Sequence, residues 1–207
     1  MQRTVLISKS GKSSLILTLL RLVEIESGTI VINGIDISKV PREEIRTRII
    51  AIPQDPFIFN DTVRFNADPF ALATDDEIIS VLVKVQLWAV VESRGGLDAQ
   101  MKLQPLSQGQ QQLFALARAL LRKEKSNILV LDEATSNVDP ETDKLMQRII
   151  REEFGTHTII TVAHRLDTIA DADVVAVLDS GELVEFGAPD ELLKLDDGAY
   201  RKLCNRQ

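Results

Sequence analysis

This 207-residue chain has one cysteine and fewer basic than acidic residues, and each of these features argues against a class of protein. The single cysteine, Cys204, cannot form an intrachain disulfide, which argues against a disulfide-stapled secreted domain and favours a reducing compartment. Lys and Arg number 24 against 31 Asp and Glu, and the formal net charge of -7 argues against a nucleic-acid partner.

Long apolar runs are also missing. No run approaches the roughly 18 residues that a membrane-spanning helix requires, so no transmembrane segment is expected in the chain. Met1–Thr4 lead directly into Val5–Ile7 without an apolar signal region or a cleavage site, and no targeting segment is predicted. With 44% hydrophobic residues, the chain can form one domain, or a domain with a small insertion, around a substantial core.

A buried strand followed by two carboxylates is the most informative stretch. Ile128–Leu131 is a short, continuous apolar run, typical of a strand covered on both faces of a parallel sheet. Ligands of open α/β sheets bind at the carboxyl ends of strands, so Asp132 is a candidate Mg²⁺ ligand and Glu133 a candidate for polarising water. An acidic loop cap is the alternative, and these residues alone leave both open.

A candidate phosphate-binding loop stands near the start of the chain. Val5–Ile7 predicts a short strand, and Leu15–Val23 predicts a helix after the intervening loop. In this context Gly11 would let the backbone approach phosphates, Lys12 would reach the β and γ oxygens, and the Ser13 hydroxyl would ligate Mg²⁺. A lone Gly-Lys-Ser is nevertheless common by chance.

A second candidate phosphate site precedes a longer helix. Apolar residues at helical spacing predict a helix after Gly109 that continues to Arg122. Its N-terminus presents unpaired backbone N–H groups, and together with Ser107 it would bind a phosphate. A structural N-cap is the alternative function of Ser107.

The remaining elements follow from periodicity and turn residues. The predicted elements of the first half are a hairpin through Asn33-Gly34, a helix Pro41–Arg48, a strand Ile49–Ile52 followed by Gln54, and a helix Ile78–Val85 capped by Asp75–Glu77. Those of the second half are a helix from Pro140 to about Phe154, a strand Thr158–Val162 followed by His164, a hairpin of Val174–Leu178 and Glu182–Phe186, and short helices from Pro189 and near Tyr200. Trp88 to Pro105 shows no strong pattern and is expected to be a linker.

Phenylalanines crowd one region of a chain that is only 4% aromatic. They are Phe57, Phe59, Phe65 and Phe70. A core position and a docking surface for a partner both fit this crowding.

The order of these motifs is more specific than any one of them. Along nearly the whole chain, the motifs come in a fixed order: a phosphate loop, a glutamine after a strand, a helical insertion, Leu-Ser-x-Gly-Gln, strand-Asp-Glu, Ser-x-x-Asp and strand-x-His. This order resembles the nucleotide-binding domain of an ATP-binding cassette (ABC) transporter. Leu106–Gln110 resembles its signature motif, and Ile128–Asp132 resembles its Walker B strand. Ser136–Asp139 resembles the D-loop, Gln54 the Q-loop glutamine and His164 the switch histidine.

Finer features resemble one branch of that family. Pro53–Phe59 and Asn127–Asp143 are most similar to the second nucleotide-binding domain of subfamily C, the multidrug-resistance-type exporters. Glu133 fits the second domain, because the first domain of that subfamily often lacks this glutamate.

The resemblance implies an α/β P-loop NTPase fold, with a mainly parallel sheet flanked by helices, as one domain over residues 1–207. A helical signature subdomain is implied at about 72–122. The family also has strands before the phosphate loop, one of which carries an aromatic residue that stacks on adenine. Since this chain begins at the loop, that N-terminal antiparallel β-subdomain is expected to be largely missing.

The implied activity is ATP hydrolysis that drives export of a substrate across a membrane, with ATP and Mg²⁺ as cofactors. The implied catalytic residues are Glu133, His164 and Gln54. The implied nucleotide-binding residues are Gly11, Lys12, Ser13, Ser14, Ser107, Gly109, Gln110 and Asp139, and the implied metal ligands are Ser13, Asp132 and Gln54.

Two kinds of partner are implied. A second nucleotide-binding domain would stack head to tail, so that Lys12 serves one ATP while Ser107 and Gly109 serve the other. Transmembrane domains would hold the chain at the cytoplasmic face of a membrane, with Phe57 and Phe59 near that contact. No nucleic acid is expected.

The chain departs from the family pattern at three glycine positions. Leu6 and Lys9 occupy two of them in the phosphate loop, and Gln108 occupies one in the signature. A side chain forced into a left-handed conformation costs roughly 1–2 kcal/mol, so the loop is expected to bind phosphate about tenfold more weakly or worse. The alternative function is therefore a truncated, ATP-binding-impaired fragment or interaction module derived from such a domain.

Overall fold

The computed structural model describes residues 2–8, 12–103, 105–162 and 172–205, and for Ser8, Lys12 and Ser13 it describes the backbone alone. The strands are β1 (Gln2–Ser8), β2 (Val31–Ile32), β3 (Ile35–Asp36), β4 (Ile49–Ile52), β5 (Ile128–Asp132), β6 (Thr158–Val162), β7 (Val174–Asp179) and β8 (Glu182–Gly187). The α-helices are α1 (Lys12–Leu19), α2 (Arg42–Arg48), α3 (Val63–Ala67), α4 (Asp75–Lys84), α5 (Trp88–Ser93), α6 (Gln108–Arg122), α7 (Pro140–Glu153), α8 (Pro189–Leu192) and α9 (Ala199–Cys204).

A sheet in the order β4-β5-β6-β1-β7-β8 forms the centre of the first of two compact units. This unit comprises Met1–Ala51, Lys125–Glu133 and Thr156–Gln207. β5, β6, β1 and β7 pair in parallel, and β8 pairs antiparallel with β7. The continuous apolar character of these strands follows, because both faces of the sheet are covered.

Alternate residues of β1 point into two hydrophobic cores, one on each face of the sheet. Leu6 packs in a cluster with Ile16 of α1 and Ile45 of α2. Val5 and Ile7 pack on the other face, in a cluster that is completed by residues of β7, α8 and α9. The first unit is therefore a parallel sheet between helices.

Leu6 belongs to this core rather than to a strained turn. Its side chain is 5% exposed, and its backbone pairs with Val162 of β6 and Ala176 of β7. It does not adopt a positive φ. The expectation of left-handed strain at Leu6 is wrong, because β1 continues to Ser8 and keeps Leu6 in extended backbone. Lys9 lies outside the described residues.

Both hairpins turn through two consecutive left-handed residues. The φ angles are 51° at Asn33 and 79° at Gly34, and 53° at Ser180 and 86° at Gly181. Two positive φ angles in a two-residue loop are typical of type I′ turns, whose twist matches that of the strands. The turn predicted at Asn33-Gly34 is confirmed.

α1 begins and ends earlier than the predicted Leu15–Val23. It ends at Leu19, and Arg21 then adopts a left-handed φ of 50°. The Arg46 side chain of α2 donates to the carbonyls of Leu20 and Arg21, at 3.2 and 3.0 Å. These tertiary hydrogen bonds hold the two residues that follow α1, whereas the last carbonyls of the helix accept from the backbone N–H groups of Leu20, Arg21 and Leu22.

The second unit is helical and comprises Ile52–Glu124 and Ala134–Gly155. It contains the whole of segment 72–122. α4 and α7 pack against α6, and Leu82, Phe114 and Met146 are fully buried. α5 forms inside the segment that was expected to be a linker. Across the described ranges, no helix combines the length and apolar character that a membrane crossing needs.

Glu153 at the end of α7 binds two lysines of the same unit. Its Oε1 accepts a hydrogen bond from Lys84 Nζ at 2.5 Å, and its Oε2 accepts one from Lys123 Nζ at 2.6 Å. The Glu153 side chain is only 15% exposed. The hydrogen bond from Lys123, and then that from Lys84, hold the pKa of Glu153 below its ordinary value of 4.5.

We expect Glu153→Gln to lower the free energy of unfolding by about 1–2 kcal/mol at pH 7, because it removes two charge-assisted hydrogen bonds from a mostly buried carboxylate. Since the folded pKa is the lower one, this contribution is complete above about pH 4.5 and is lost as the pH falls through the folded pKa. Denaturant unfolding at neutral and acidic pH measures it, with the exposed Glu152→Gln as control. A difference that grows on acidification would contradict this assignment.

Candidate functional site

The carboxyl ends of three parallel strands lie at one edge of the sheet. Leu6 of β1 pairs with Val162 of β6, and Val162 pairs with Asp132 at the end of β5. Because neighbouring strands are about 4.8 Å apart, the Asp132 backbone lies two strands, roughly 10 Å, from that of Leu6. β1 continues to Ser8, and α1 begins at Lys12. The end of β5 and the start of α1 therefore lie at the same edge of the sheet.

The first turn of α1 lies at this edge, because α1 packs along both β1 and β5. The first N–H groups of a helix have no intrahelical partner and attract anions. Ser14 is exposed in this turn. Gly11 and His164, which are also candidate site residues, lie outside the described residues. A helix N-terminus beside a carboxylate suits a phosphate that carries a divalent cation.

Asp132 and Ser13 have the right chemistry for Mg²⁺ that arrives with a nucleotide. Among the residues that the structure describes, no group of three or more His, Cys, Asp or Glu side chains could hold a metal ion. Mg²⁺ in nucleotide sites is bound by one or two protein oxygens together with phosphate oxygens and water. One carboxylate near the N-terminus of a helix is compatible with that kind of donor set.

Glu133 adopts a left-handed backbone conformation directly after β5. Its φ is 49°, and its N–H donates to the Val162 carbonyl at 3.3 Å. For a residue other than glycine this conformation costs of order 1 kcal/mol or more. The chain thus turns at the sheet edge at a candidate catalytic residue, and the residue type alone does not reveal this strain.

In the second unit, Ser107 is the N-cap of α6. Its hydroxyl accepts a hydrogen bond from the Gln110 N–H at 3.3 Å, and Gln110 Oε1 accepts one from the Ser107 N–H at 3.0 Å. This capping box confirms the structural alternative for Ser107. Intrahelical hydrogen bonds do not reach the N–H groups of Gln108 and Gly109, so the first turn still has donors to offer an anion.

Asp139 caps α7. Its Oδ1 accepts from the N–H groups of Glu141 and Thr142, at 3.1 and 3.0 Å, and its Oδ2 accepts from the Thr142 hydroxyl at 2.6 Å. The hydrogen bond from the Thr142 hydroxyl, and then that from its N–H, hold the pKa of Asp139 below its usual value. The carboxylate therefore has a structural role within the chain.

Gly109 lies beside this cap without being required by it. A methyl group on Gly109 would lie 3.4 Å from Thr142 Oγ1 and 3.6 Å from Asp139 Oδ2, which is ordinary van der Waals contact. Gly109 is also helical and has no positive φ. Neither packing nor backbone conformation within the chain demands glycine at this position.

Gln54 follows β4 in a segment that three unpredicted side chains hold in place. Gln112 Nε2 donates to the Gln54 carbonyl at 2.5 Å, and Arg118 Nη1 donates to the Phe57 carbonyl at 2.7 Å. Asn66, which is fully buried, accepts a hydrogen bond on Oδ1 from the Phe59 N–H at 2.7 Å. The sequence signal for Gln112 is a polar residue within an otherwise apolar stretch of a helix.

The crowded phenylalanines lie at the surface. Phe59 makes edge-to-face contacts with Phe57 and Phe65, with ring centroids 5.0 and 5.4 Å apart. Phe57 and Phe70 are 69% and 79% exposed. This exposure favours a docking surface over a core position for the cluster.

A family profile described as ABC transporter matches residues 7–136. The chain belongs to the ABC transporter family. It is 51% identical over 194 residues to ABC multidrug transporter B of Aspergillus fumigatus, covering 94% of this chain and 13% of that protein. It is 46% identical over 197 residues to ABC transporter C family member 9 of Arabidopsis thaliana, again covering 94% of this chain and 13% of the relative. The chain thus spans a small part of these curated relatives.

An ABC transporter of known structure shares the fold. A bacterial Atm1-family ABC exporter, solved with ATP bound, superposes with a TM-score of 0.89 at 33% identity, covering 100% of this chain and 37% of that chain. The predicted fold class, an α/β P-loop NTPase with a mainly parallel sheet flanked by helices, is confirmed.

We expect Glu133→Asn to be more stable than Glu133→Gln by about 1 kcal/mol, because asparagine tolerates the left-handed region better than glutamine does. Both substitutions remove the charge, so loss of charge does not contribute to the difference between them. Denaturant unfolding of the two variants side by side measures the difference. Equal midpoints would show that the conformation of Glu133 is not strained.

Proposed function

We propose that this chain binds and hydrolyses ATP as the nucleotide-binding domain of an ABC exporter, so that hydrolysis drives export of a substrate across a membrane. The observation that carries the proposal is the sheet edge that joins the end of β5, with Asp132 and Glu133, to the start of α1. Family membership and the shared fold of a solved exporter support the same activity.

The residues of the phosphate loop bind and neutralise the nucleotide. Lys12 contacts the β and γ phosphate oxygens, Gly11 allows close approach of the backbone, and the first-turn N–H groups of α1, including that of Ser14, donate to phosphate. Ser13 and Asp132 would hold Mg²⁺, with Gln54 as a further ligand. When bound, Mg²⁺ would supply positive charge that offsets the negative charge of the phosphates.

Glu133 acts on the attacking water. Its carboxylate orients the water or accepts its proton, while Lys12 and the helix N-termini stabilise the charge on the transferring phosphoryl group. His164 and Gln54 are assigned to the neighbourhood of the same γ-phosphate. The strained backbone of Glu133 supports a functional role, because left-handed residues other than glycine cluster at active sites.

A second nucleotide-binding domain, stacked head to tail, completes the site. Ser107, Gly109 and Gln110 at the start of α6, with Asp139 of the D-loop, would face the partner's nucleotide. Support comes from the first-turn N–H groups of α6 and from a glycine at 109 that packing within the chain does not require.

Transmembrane domains are the other proposed partner, and through them the chain lies at the cytoplasmic face of a membrane. The exposed cluster of Phe57, Phe59 and Phe65 supports this contact, because rigid aromatic side chains are enriched at protein interfaces. Relatives named as C family members support the assignment to subfamily C, and Glu133 supports that of its second domain.

We expect Glu133→Gln to lower ATP turnover by roughly 10²–10⁴-fold, the contribution of a positioned general base, while Mg-ATP binding is preserved. Phosphate release by the chain paired with its partner domain, and nucleotide binding by the same preparation, are the two measurements. If the variant hydrolyses ATP as fast as the unmodified protein, Glu133 does not have this role.

The alternative is an ATP-binding-impaired fragment or interaction module derived from such a domain. Lys9 at a glycine position of the family's loop is the observation that favours it, whereas Leu6 does not, since Leu6 lies in β1. We expect calorimetric titration of the chain with Mg-ATP to give micromolar binding that Lys12→Ala removes. No binding at millimolar Mg-ATP would establish the alternative.

A further inference from the structure

We propose that Gln112 is a positioning residue that links Gln54 to the N-terminus of α6, and that it couples the two nucleotide sites on one domain. The inference rests on the proposed function, in which Gln54 serves one nucleotide and Ser107 the partner's. Gln112 itself contacts neither. It acts through the backbone carbonyl of Gln54.

One buried amide group makes this link. Gln112 is 1% exposed, and its Nε2 donates to the carbonyls of Pro53 and Gln54, at 3.3 and 2.5 Å. Ser107, the N-cap of α6, is five positions earlier on the same helix, about 7.5 Å along its axis. A helix of 15 residues is rigid over that length, so Gln54 and Ser107 are connected by one hydrogen-bonded side chain.

Stability alone does not account for a glutamine at this position. Within the described part of the chain, Gln112 Oε1 is buried and accepts no hydrogen bond. A buried amide that is satisfied on one side only is less favourable than an apolar side chain of the same size. Pro53 is exposed and Gln54 is half-buried, so water can reach their carbonyls if the Gln112 donor is removed.

The rest of the segment has independent anchors. Arg118 Nε donates to the Asn66 carbonyl at 2.6 Å, and Arg118 Nη1 donates to that of Phe57 at 2.7 Å. Asn66 Nδ2 donates in turn to the Phe59 carbonyl at 3.0 Å. These bonds do not involve Gln112, so its removal frees Pro53 and Gln54 and leaves residues 57–66 attached to α6.

The coupling follows from these two observations. A displacement of the Gln54 backbone at its own nucleotide is transmitted to α6 through the Gln112 amide, and α6 carries Ser107 and Gly109 toward the other nucleotide. The reverse displacement is transmitted equally, because a coupling between two sites is reciprocal.

The test is Gln112→Met, which keeps the side-chain volume and removes the donor. We expect kcat for ATP hydrolysis by the chain paired with its partner domain to fall about tenfold to a hundredfold, as when the partner of a metal or water ligand is removed. KM for ATP should change less than about threefold, because Lys12 and α1 still bind phosphate. The thermal midpoint of unfolding should stay close to that of the unmodified protein.

Gln111→Met is the matched control. Gln111 is on the same helix, and its Nε2 donates to the Leu106 carbonyl at 3.0 Å rather than to Gln54. The Gln111→Met variant also loses one hydrogen bond from a glutamine side chain to a carbonyl, but its kcat should equal that of the unmodified protein. An unchanged kcat in Gln112→Met, or an equal loss in both variants, overturns the proposal.

Backbone amide chemical shifts measured by NMR without nucleotide provide a readout that does not depend on turnover. In Gln112→Met we expect the resonances of both Gln54–Asp55 and Gln108–Gly109 to shift, and in Gln111→Met no change at Gln54–Asp55. Resonances that shift in neither or only one of these segments in Gln112→Met overturn the link. Absence of turnover in the unmodified protein would overturn the proposed function instead.

Discussion

Parallel pairing of β5, β6, β1 and β7 is the constraint on which the first unit depends. Parallel strands cannot be joined by tight hairpins, so each connection between them crosses a face of the sheet and these four strands end at the same edge. The register that aligns Leu6, Val162 and Asp132 then brings the end of β5 to within two strands of the loop before α1. α1 and α2 bury one face, and α8 and α9, which follow the last strand, bury the other, which explains the apolar side chains on either side of β1.

Between β4 and α3, hydrogen bonds from side chains take the place of regular secondary structure. The segment after β4 forms only the five-residue helix α3 before residue 70, yet its carbonyls need hydrogen-bond donors as much as those of a strand do. Gln112, Asn66 and Arg118 supply them. Burial lowers the pKa of the Arg118 guanidinium to about 10, so Arg118 remains charged at neutral pH and its carbonyl partners offset the desolvation. Such a network is stable only while most of its members are paired.

Glu133, to which catalysis is assigned, has a strained backbone conformation, whereas Leu6, where the sequence pattern suggested strain, does not. Leu6 takes a glycine position of the family's loop, but the extension of β1 to Ser8 turns that position into core. Glu133 carries the left-handed conformation instead, supported by the hydrogen bond from its N–H to Val162. Strain of this kind persists only where the surrounding structure over-determines it, and here β5 and β6 hold the residues on either side of the turn.

The sequence by itself determined most of the secondary structure, the turn at Asn33-Gly34, the cap at Ser107 and the carboxylate at the end of β5. These features depend on periodicity and turn chemistry within a few residues. Only the tertiary structure decided the order and register of the strands, the helix α5 and the hydrogen bonds from Gln112 to Gln54 and from Arg46 to Arg21. The first of these bonds joins residues 58 positions apart, and the second joins residues 25 positions apart. Contacts between residues distant in the chain depend on which elements pack together, and no local pattern encodes that.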